Sequence, residues 1–120
     1  MSIQYNLNEV GKRPWGEWKC IEVGDGYIVK SICVNPGAAL SLQMHNYRSE
    51  HWLVVGGCAK VTVGDKVALL EPGQSVDIPK GIRHRLENDT DEFVKVIEIQ
   101  MGQILDEADI IRFGDIYNRV

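Results

Sequence analysis

Ala59-Lys60-Val61-Thr62-Val63-Gly64-Asp65-Lys66-Val67-Ala68-Leu69-Leu70 is the stretch that decides the fold. Ala59, Val61 and Val63 alternate with Lys60 and Thr62, the period of a strand with one face buried. Gly64-Asp65 supplies the left-handed geometry of a tight connection, so residues 59–63 and 67–70 read as a hairpin. The same pattern continues on both sides. Tyr27 to Val34, Ala39 to Met44 and His51 to Val55 precede the hairpin, and Ser75 to Ile78, Arg83 to Leu86 and Phe93 to Met101 follow it. Glycine and proline punctuate these segments at Pro36-Gly37, Gly56-Gly57, Pro72-Gly73, Pro79 and Gly81. About eight or nine short strands joined by turns, with no long helical period before residue 103, predict an all-β sandwich or barrel.

The chain has 120 residues, which is room for a single domain spanning 1–120. A barrel core over 27–101 is flanked by an N-terminal arm, 1–18, that looks too irregular for a long element. The tail, 103–120, is expected as either a short helix or an extended flap. Thirteen Lys+Arg against seventeen Asp+Glu leave a net charge of −4, which argues against nucleic acid and anionic membranes as partners. No apolar run reaches the ~18 residues of a membrane helix, and the N-terminus lacks a secretory pattern, so a cytoplasmic location is expected. Cys20, Cys33 and Cys58 are odd in number and widely spaced. They read as small buried hydrophobes in a reducing compartment.

Gln43, His45 and Glu50 lie close together in the chain. Side chains at i and i+2 share a strand face, so Gln43 and His45 point the same way. A turn through Asn46 to Ser49 can bring Glu50 back beside them, and the Pro79-Lys80-Gly81 turn leads to His84. Two imidazoles, a carboxylate and an amide oxygen suit a divalent first-row metal. Spacing alone leaves two readings open: a metal site, or unrelated strand histidines with hydrogen-bond partners.

Gly37, Gln43, His45, Glu50 and Gly57 resemble the first cupin motif, with Gln43 in place of the usual first histidine. Gly73, Pro79, Gly81, His84 and Asn88 resemble the second. More narrowly, Arg13-Pro14-Trp15-Gly16, Leu40-Ser41-Leu42-Gln43-Met44-His45, Arg48, Glu50-His51-Trp52, Ile78-Pro79, Ile97-Glu98-Ile99-Gln100 and Asp109-Ile110-Ile111-Arg112 are similar to type II mannose-6-phosphate isomerases. In many of those the module is the C-terminal part of a bifunctional isomerase and mannose-1-phosphate guanylyltransferase. The resemblance runs from residue 13 to 119. It departs at Tyr117-Asn118-Arg119, where the family usually has Tyr-Gly-Arg. It implies a double-stranded β-helix (jelly-roll) barrel with a short irregular or helical tail, and a homodimer. It also implies one divalent metal ion on Gln43, His45, Glu50 and His84, zinc first, with manganese, cobalt, nickel or iron as alternatives.

The implied activity is interconversion of mannose 6-phosphate and fructose 6-phosphate through an enediol. Such a reaction needs a Lewis acid, a base for the carbon-bound proton and a cation for the phosphate. Glu98 is the candidate base. It is in phase with Val94, Val96 and Gln100, although the opposite face, with Phe93, Ile97, Ile99 and Met101, looks equally like core. Arg48 is the first candidate for phosphate, since a planar guanidinium matches it in a bidentate way. Lys30, on a strand face with Ile28 and Ile32, and Arg119 from the tail are the other catalytic candidates. His51 follows Glu50 and should face away from it. Two further readings are a non-catalytic sugar-binding or regulatory cupin, and another cupin metalloenzyme such as an oxygenase or sugar epimerase.

Overall fold

Strand follows strand along residues 2–114, the part of the chain that the computed structural model describes. They are β1 (Ser2–Ile3), β2 (Val10–Arg13), β3 (Gly16–Val23), β4 (Tyr27–Val34), β5 (Leu42–Met44), β6 (Arg48–Gly56) and β7 (Ala59–Val63). Then come β8 (Lys66–Leu70), β9 (Ser75–Ile78), β10 (His84–Glu87), β11 (Val94–Gly102), β12 (Ile104–Leu105), a 3-10 turn (Glu107–Asp109) and β13 (Ile111–Gly114). A six-stranded sheet, ordered β2-β3-β4-β11-β6-β9, faces a five-stranded sheet, ordered β13-β5-β10-β7-β8. Both are antiparallel. The molecule is an all-β jelly-roll sandwich, with the two sheets facing each other rather than closing into one hydrogen-bonded cylinder.

The residues that point inward along the central strands change character from one end to the other. In β11 the sequence runs Val94, Val96, Glu98, Gln100, all buried. Its neighbours match it rung by rung: Val94 opposes Val34, Val96 opposes Ile32 and Val54, and Glu98 opposes Lys30 and Trp52. In the facing sheet Leu86 pairs with Val61, while His84 pairs with Gln43 and Val63. One end of the sandwich is therefore a dry core, where each fully buried aliphatic side chain contributes about 1.5–3 kcal/mol. The other end collects the polar inward residues into a lined cavity. Asn88 pins the apolar end: its Nδ2 donates to the carbonyls of Val34, Asn35 and Glu92.

The ends of the chain depart from the sequence expectation. The arm over residues 1–18 was expected to be irregular, yet β2 and β3 form a hairpin on the edge of the large sheet. Arg13-Pro14-Trp15-Gly16 is its turn. Gly16 is required there, because it sits at φ +148° and any Cβ would collide with the carbonyl of Cys33. Only Trp18 and Cys20 alternate inward before a bulge between Cys20 and Glu22 breaks the period. The tail combines both expected forms, a 3-10 turn and extended segments. β1 pairs parallel with β12, and β13 adds to β5. The expected strand at Ala39 to Met44 shortens to Leu42–Met44, preceded by an isolated bridge from Ala39 to Glu87. All three cysteines are free, Cys20 fully buried.

Candidate metal centre and cavity

His45, Glu50 and His84 are buried together, with one ligand atom of each within 4.8 Å of the others. The Nε2 of His45 lies 3.1 Å from Glu50 Oε2, and the Nε2 of His84 lies 3.9 Å from Glu50 Oε1. Both rings are oriented from behind. His45 Nδ1 donates to the carbonyl of Asp109 (3.2 Å) and His84 Nδ1 donates to that of Ile82 (3.0 Å). An imidazole whose Nδ1 carries the proton presents a lone pair at Nε2, the arrangement of a metal-ligating histidine. His84 Nε2 is buried with no hydrogen-bond partner. A buried polar atom left orphaned is costly unless something outside the protein satisfies it. Burial also lowers the His84 pKa, against an opposing pull from Glu50, so the ring is neutral near pH 7. Gln43 stands opposite His84 in register and lines the same cavity. Its Nε2 donates to Ser41 Oγ at 3.3 Å, which leaves Oε1 as its free ligand atom. Two imidazoles, one carboxylate and one amide fit a divalent cation with positions to spare.

Burial alone would raise the Glu50 pKa, yet the positive Arg48 guanidinium beside it overcomes this and holds it well below the carboxylate range. Arg48 Nε donates to Glu50 Oε2 at 2.8 Å and Arg48 Nη1 to the carbonyl of Asp106 at 3.3 Å. Arg48 is therefore buried and already engaged, at the start of β6 rather than within the turn that its place in the chain suggested.

Glu98 faces inward. Trp52 Nε1 donates to both Glu50 Oε1 (3.0 Å) and Glu98 Oε2 (3.1 Å), so one indole N–H bridges the two carboxylates. Gln100 Nε2 donates to Glu98 Oε1 at 2.6 Å. Burial, reinforced by the negative Glu50 and opposed by Lys30 and Arg48, pushes the Glu98 pKa up to about 8. Two neighbouring carboxyl groups are thus driven to opposite ends of the scale, the pattern that separates acid–base from electrostatic roles.

Lys30 is only 4% exposed. Its Nζ lies 3.9 Å from the Tyr5 ring centroid and 4.1 Å from that of Trp18, a cation between two aromatic faces. Burial lowers its pKa, with Glu98 partly opposing. The cavity, about 500 Å³ including its open mouth, is lined by these residues together with Arg13, Glu107 and Arg112. Arg13 is tied to Glu107 at 2.7 Å. Arg112 comes from β13, next to Gln43, and its buried Nε has no hydrogen-bond partner among the described residues.

The structure brings Gln43, Lys30, Arg48, Glu50 and Glu98 to one cavity and buries His45 and His84 against Glu50 at its wall. Arg119 lies outside the described residues. His51 faces outward and pairs with Asp77. From the sequence Trp52 reads as core or subunit contact and Gln100 only as a residue in phase with Glu98, although each stands two residues beyond an inward glutamate and so on the same face. The sequence reading passed over Arg112, whose strand carried no decisive period.

A jelly-roll sandwich with a histidine–glutamate cluster at the polar end of its cavity is the architecture of a cupin. The fold is shared with a cupin-2 domain from Rhodospirillum rubrum, with a TM-score of 0.70 at 18% identity over 91% of this chain and 84% of that one. More specifically, residues 3–115 match the family described as mannose-6-phosphate isomerase C-terminal, and the chain belongs to that family. It is 52% identical over 107 residues to the xanthan biosynthesis protein XanB of Xanthomonas campestris pv. campestris, covering 89% of this chain and 23% of the relative. It is 48% identical over 108 residues to a mannose-1-phosphate guanylyltransferase of Escherichia coli, covering 90% of this chain and 23% of the relative. The chain thus spans about a quarter of the length of these relatives. Among the described residues no helix is long and apolar enough to cross a membrane.

Proposed function

We propose that the chain is a metal-dependent aldose–ketose isomerase interconverting mannose 6-phosphate and fructose 6-phosphate, supplying sugar phosphate to polysaccharide synthesis in the cytoplasm. The observation that carries this reading is the placement of Glu98, a buried carboxyl group one indole N–H away from the His45–Glu50–His84 cluster and inside the same cavity. Membership of the isomerase family supports it.

In this proposal Gln43, His45, Glu50 and His84 hold one divalent ion, zinc first. The bound ion supplies Lewis acidity to the substrate's carbonyl and hydroxyl oxygens. Glu98 takes the proton from one of the two adjacent carbons and returns it to the other through an enediol, while the hydroxyl proton passes from one of the two oxygens to the other so that carbonyl and hydroxyl exchange places. A base with a pKa near neutrality is both available and strong enough for this. Trp52 and Gln100 hold the carboxylate in place by hydrogen bonds. Lys30 and Arg48 stabilise the negative charge that develops on the enediol oxygens. Arg112, with Arg13 beside it and Arg119 from the tail, receives the phosphate. Any second copy in a homodimer would use the outer face of the six-stranded sheet, where Leu53, Val55 and Met101 are exposed.

A coupled assay with mannose 6-phosphate, run with and without divalent metal, tests this. Turnover that chelator and His84→Ala both abolish supports the isomerase. Metal binding without turnover of any hexose phosphate supports a sugar-binding cupin instead.

A further inference from the structure

Asp109 is 6% exposed and lies in the 3-10 turn near the end of the described chain, far in sequence from the metal cluster. Its hydrogen bonds nevertheless reach the loop that carries His45. The carboxylate accepts from the backbone N–H of Asn46 at Oδ1 and of Tyr47 at Oδ2, both at 3.0 Å. The carbonyl of the same residue accepts from His45 Nδ1 at 3.2 Å. Burying a carboxylate is unfavourable unless donors surround it, and two backbone N–H groups of one loop satisfy this one.

The loop in question connects β5 to β6, so it sits between the ligand pair Gln43 and His45 on one side and Glu50 on the other. Residues 45–47 lie outside the strands, and apart from Asp109 they are held by the N–H of Gly81, which donates to the carbonyl of His45 at 2.8 Å. A carbonyl can only accept, so the contact from Asp109 fixes the proton of His45 on Nδ1 and leaves Nε2 bare. That nitrogen faces Glu50 Oε2 at 3.1 Å and Arg48 Nη2 at 3.4 Å, on the side of the cluster. Asp106, which caps the start of the same turn, adds a second hold through its carbonyl on Arg48 Nη1.

We propose that Asp109 is a positioning residue for the cation site: it clamps the 46–47 loop by its carboxylate and holds His45 Nε2 free by its carbonyl. The segment around it is then a working part of the metal centre rather than a cover over it. The inference rests on the metal reading above.

Titration of the metal-free full chain with Co²⁺, followed by its visible absorption bands and by competition with a chelator, tests the proposal. Wild type is expected to bind tightly. Asp109→Ala is expected to bind about 10- to 100-fold more weakly with altered bands, and Asp109→Asn, which keeps one acceptor oxygen, to fall between them. Far-UV circular dichroism of the metal-free variants confirms that they are folded. Affinity within about twofold of wild type and unchanged bands in a folded variant would overturn the proposal while leaving the metal reading intact. A wild-type chain that takes up no Co²⁺ would overturn both. Should neither variant fold, ¹⁵N imidazole shifts of the metal-free wild type decide. A proton on His45 Nδ1 supports the assignment, and one on Nε2 defeats it.

Discussion

Gln43 of β5 and His84 of β10 are direct cross-strand partners, although four strands separate them along the chain. Cross-strand partners share a sheet face with Cβ atoms about 5 Å apart, close enough for an amide oxygen and an imidazole nitrogen to meet on one ion. With His45 and Glu50 approaching from the adjoining loop and the opposite sheet, the cation site joins both layers of the sandwich.

Removing one of these ligands should therefore act on metal before it acts on fold. His84→Ala is expected to reduce affinity for zinc by more than the roughly 10- to 100-fold typical of an outer-shell change. Gln43→Ala should cost less, since it deletes a neutral ligand. Chelator competition on the purified proteins measures both. Equal losses for the two variants would contradict this ordering.

Much of this was legible in the sequence, for identifiable reasons. Strict alternation in Tyr27–Val34 and Phe93–Met101 marks an inner and an outer face; the first strand formed as read and the second shifted by one residue to Val94–Gly102. Alternation could not say which face of β11 looks inward, because Ile97 and Ile99 are as apolar as Val94 and Val96. The answer came from neighbouring strands, where Lys30 and Trp52 flank Glu98. The hairpin β2–β3 was hidden because Gly16 and Pro14 look like loop residues until the close approach of Cys33 explains the glycine. Arg112 and Asp109 act through contacts made far from their place in the chain, which no local period encodes.

Arg112 is expected to matter for substrate binding rather than for the proton transfer. Its buried Nε lacks a partner among the described residues, and a phosphate oxygen would provide one. A hydrogen bond to a charged group is worth about 1.5–3 kcal/mol, so Arg112→Ala should lower kcat/KM roughly 10- to 100-fold, chiefly through KM. Steady-state kinetics with mannose 6-phosphate give the split. A fall confined to kcat would place Arg112 at the reacting carbons instead.

Gly11 has no Cβ, and the Trp18 indole occupies the place where one would be. Trp18 in turn supports Lys30 from one side. Gly11→Ala should push the ring toward the cavity, with an overpacking cost of about 1–3 kcal/mol or more. Thermal unfolding of the metal-free protein reads this directly. Gly37→Ala, where an added Cβ meets nothing but φ is +72°, serves as a comparison for backbone strain alone.

Glu98 sets activity and stability against each other. Its carboxyl group ionises near 4.5 in an unfolded chain but near 8 in the folded protein. Between those values the native state holds a proton that the unfolded state has released, so stability must fall as pH rises from about 4.5 to 8. A neutral side chain at this position escapes that penalty. In Glu98→Gln the amide of Gln100 can turn over so that Oε1 accepts from the new side chain and Nε2 takes the unpartnered position, while Trp52 Nε1 keeps an acceptor. The variant should thus be more stable than wild type at pH 8–9, by on the order of 5 kcal/mol at most, with the difference vanishing near pH 4.5. Its kcat should nevertheless fall about 10²- to 10⁴-fold, the usual contribution of a positioned base. Wild-type kcat/KM should rise with pH as Glu98 ionises, and a cation on Glu50 would move that limb to lower pH by favouring the charged form. Denaturant unfolding across pH, paired with the isomerase assay, checks both halves. A Glu98→Gln protein that loses stability at pH 8 would show that the buried carboxylate is held for structure, and the base would have to be sought elsewhere.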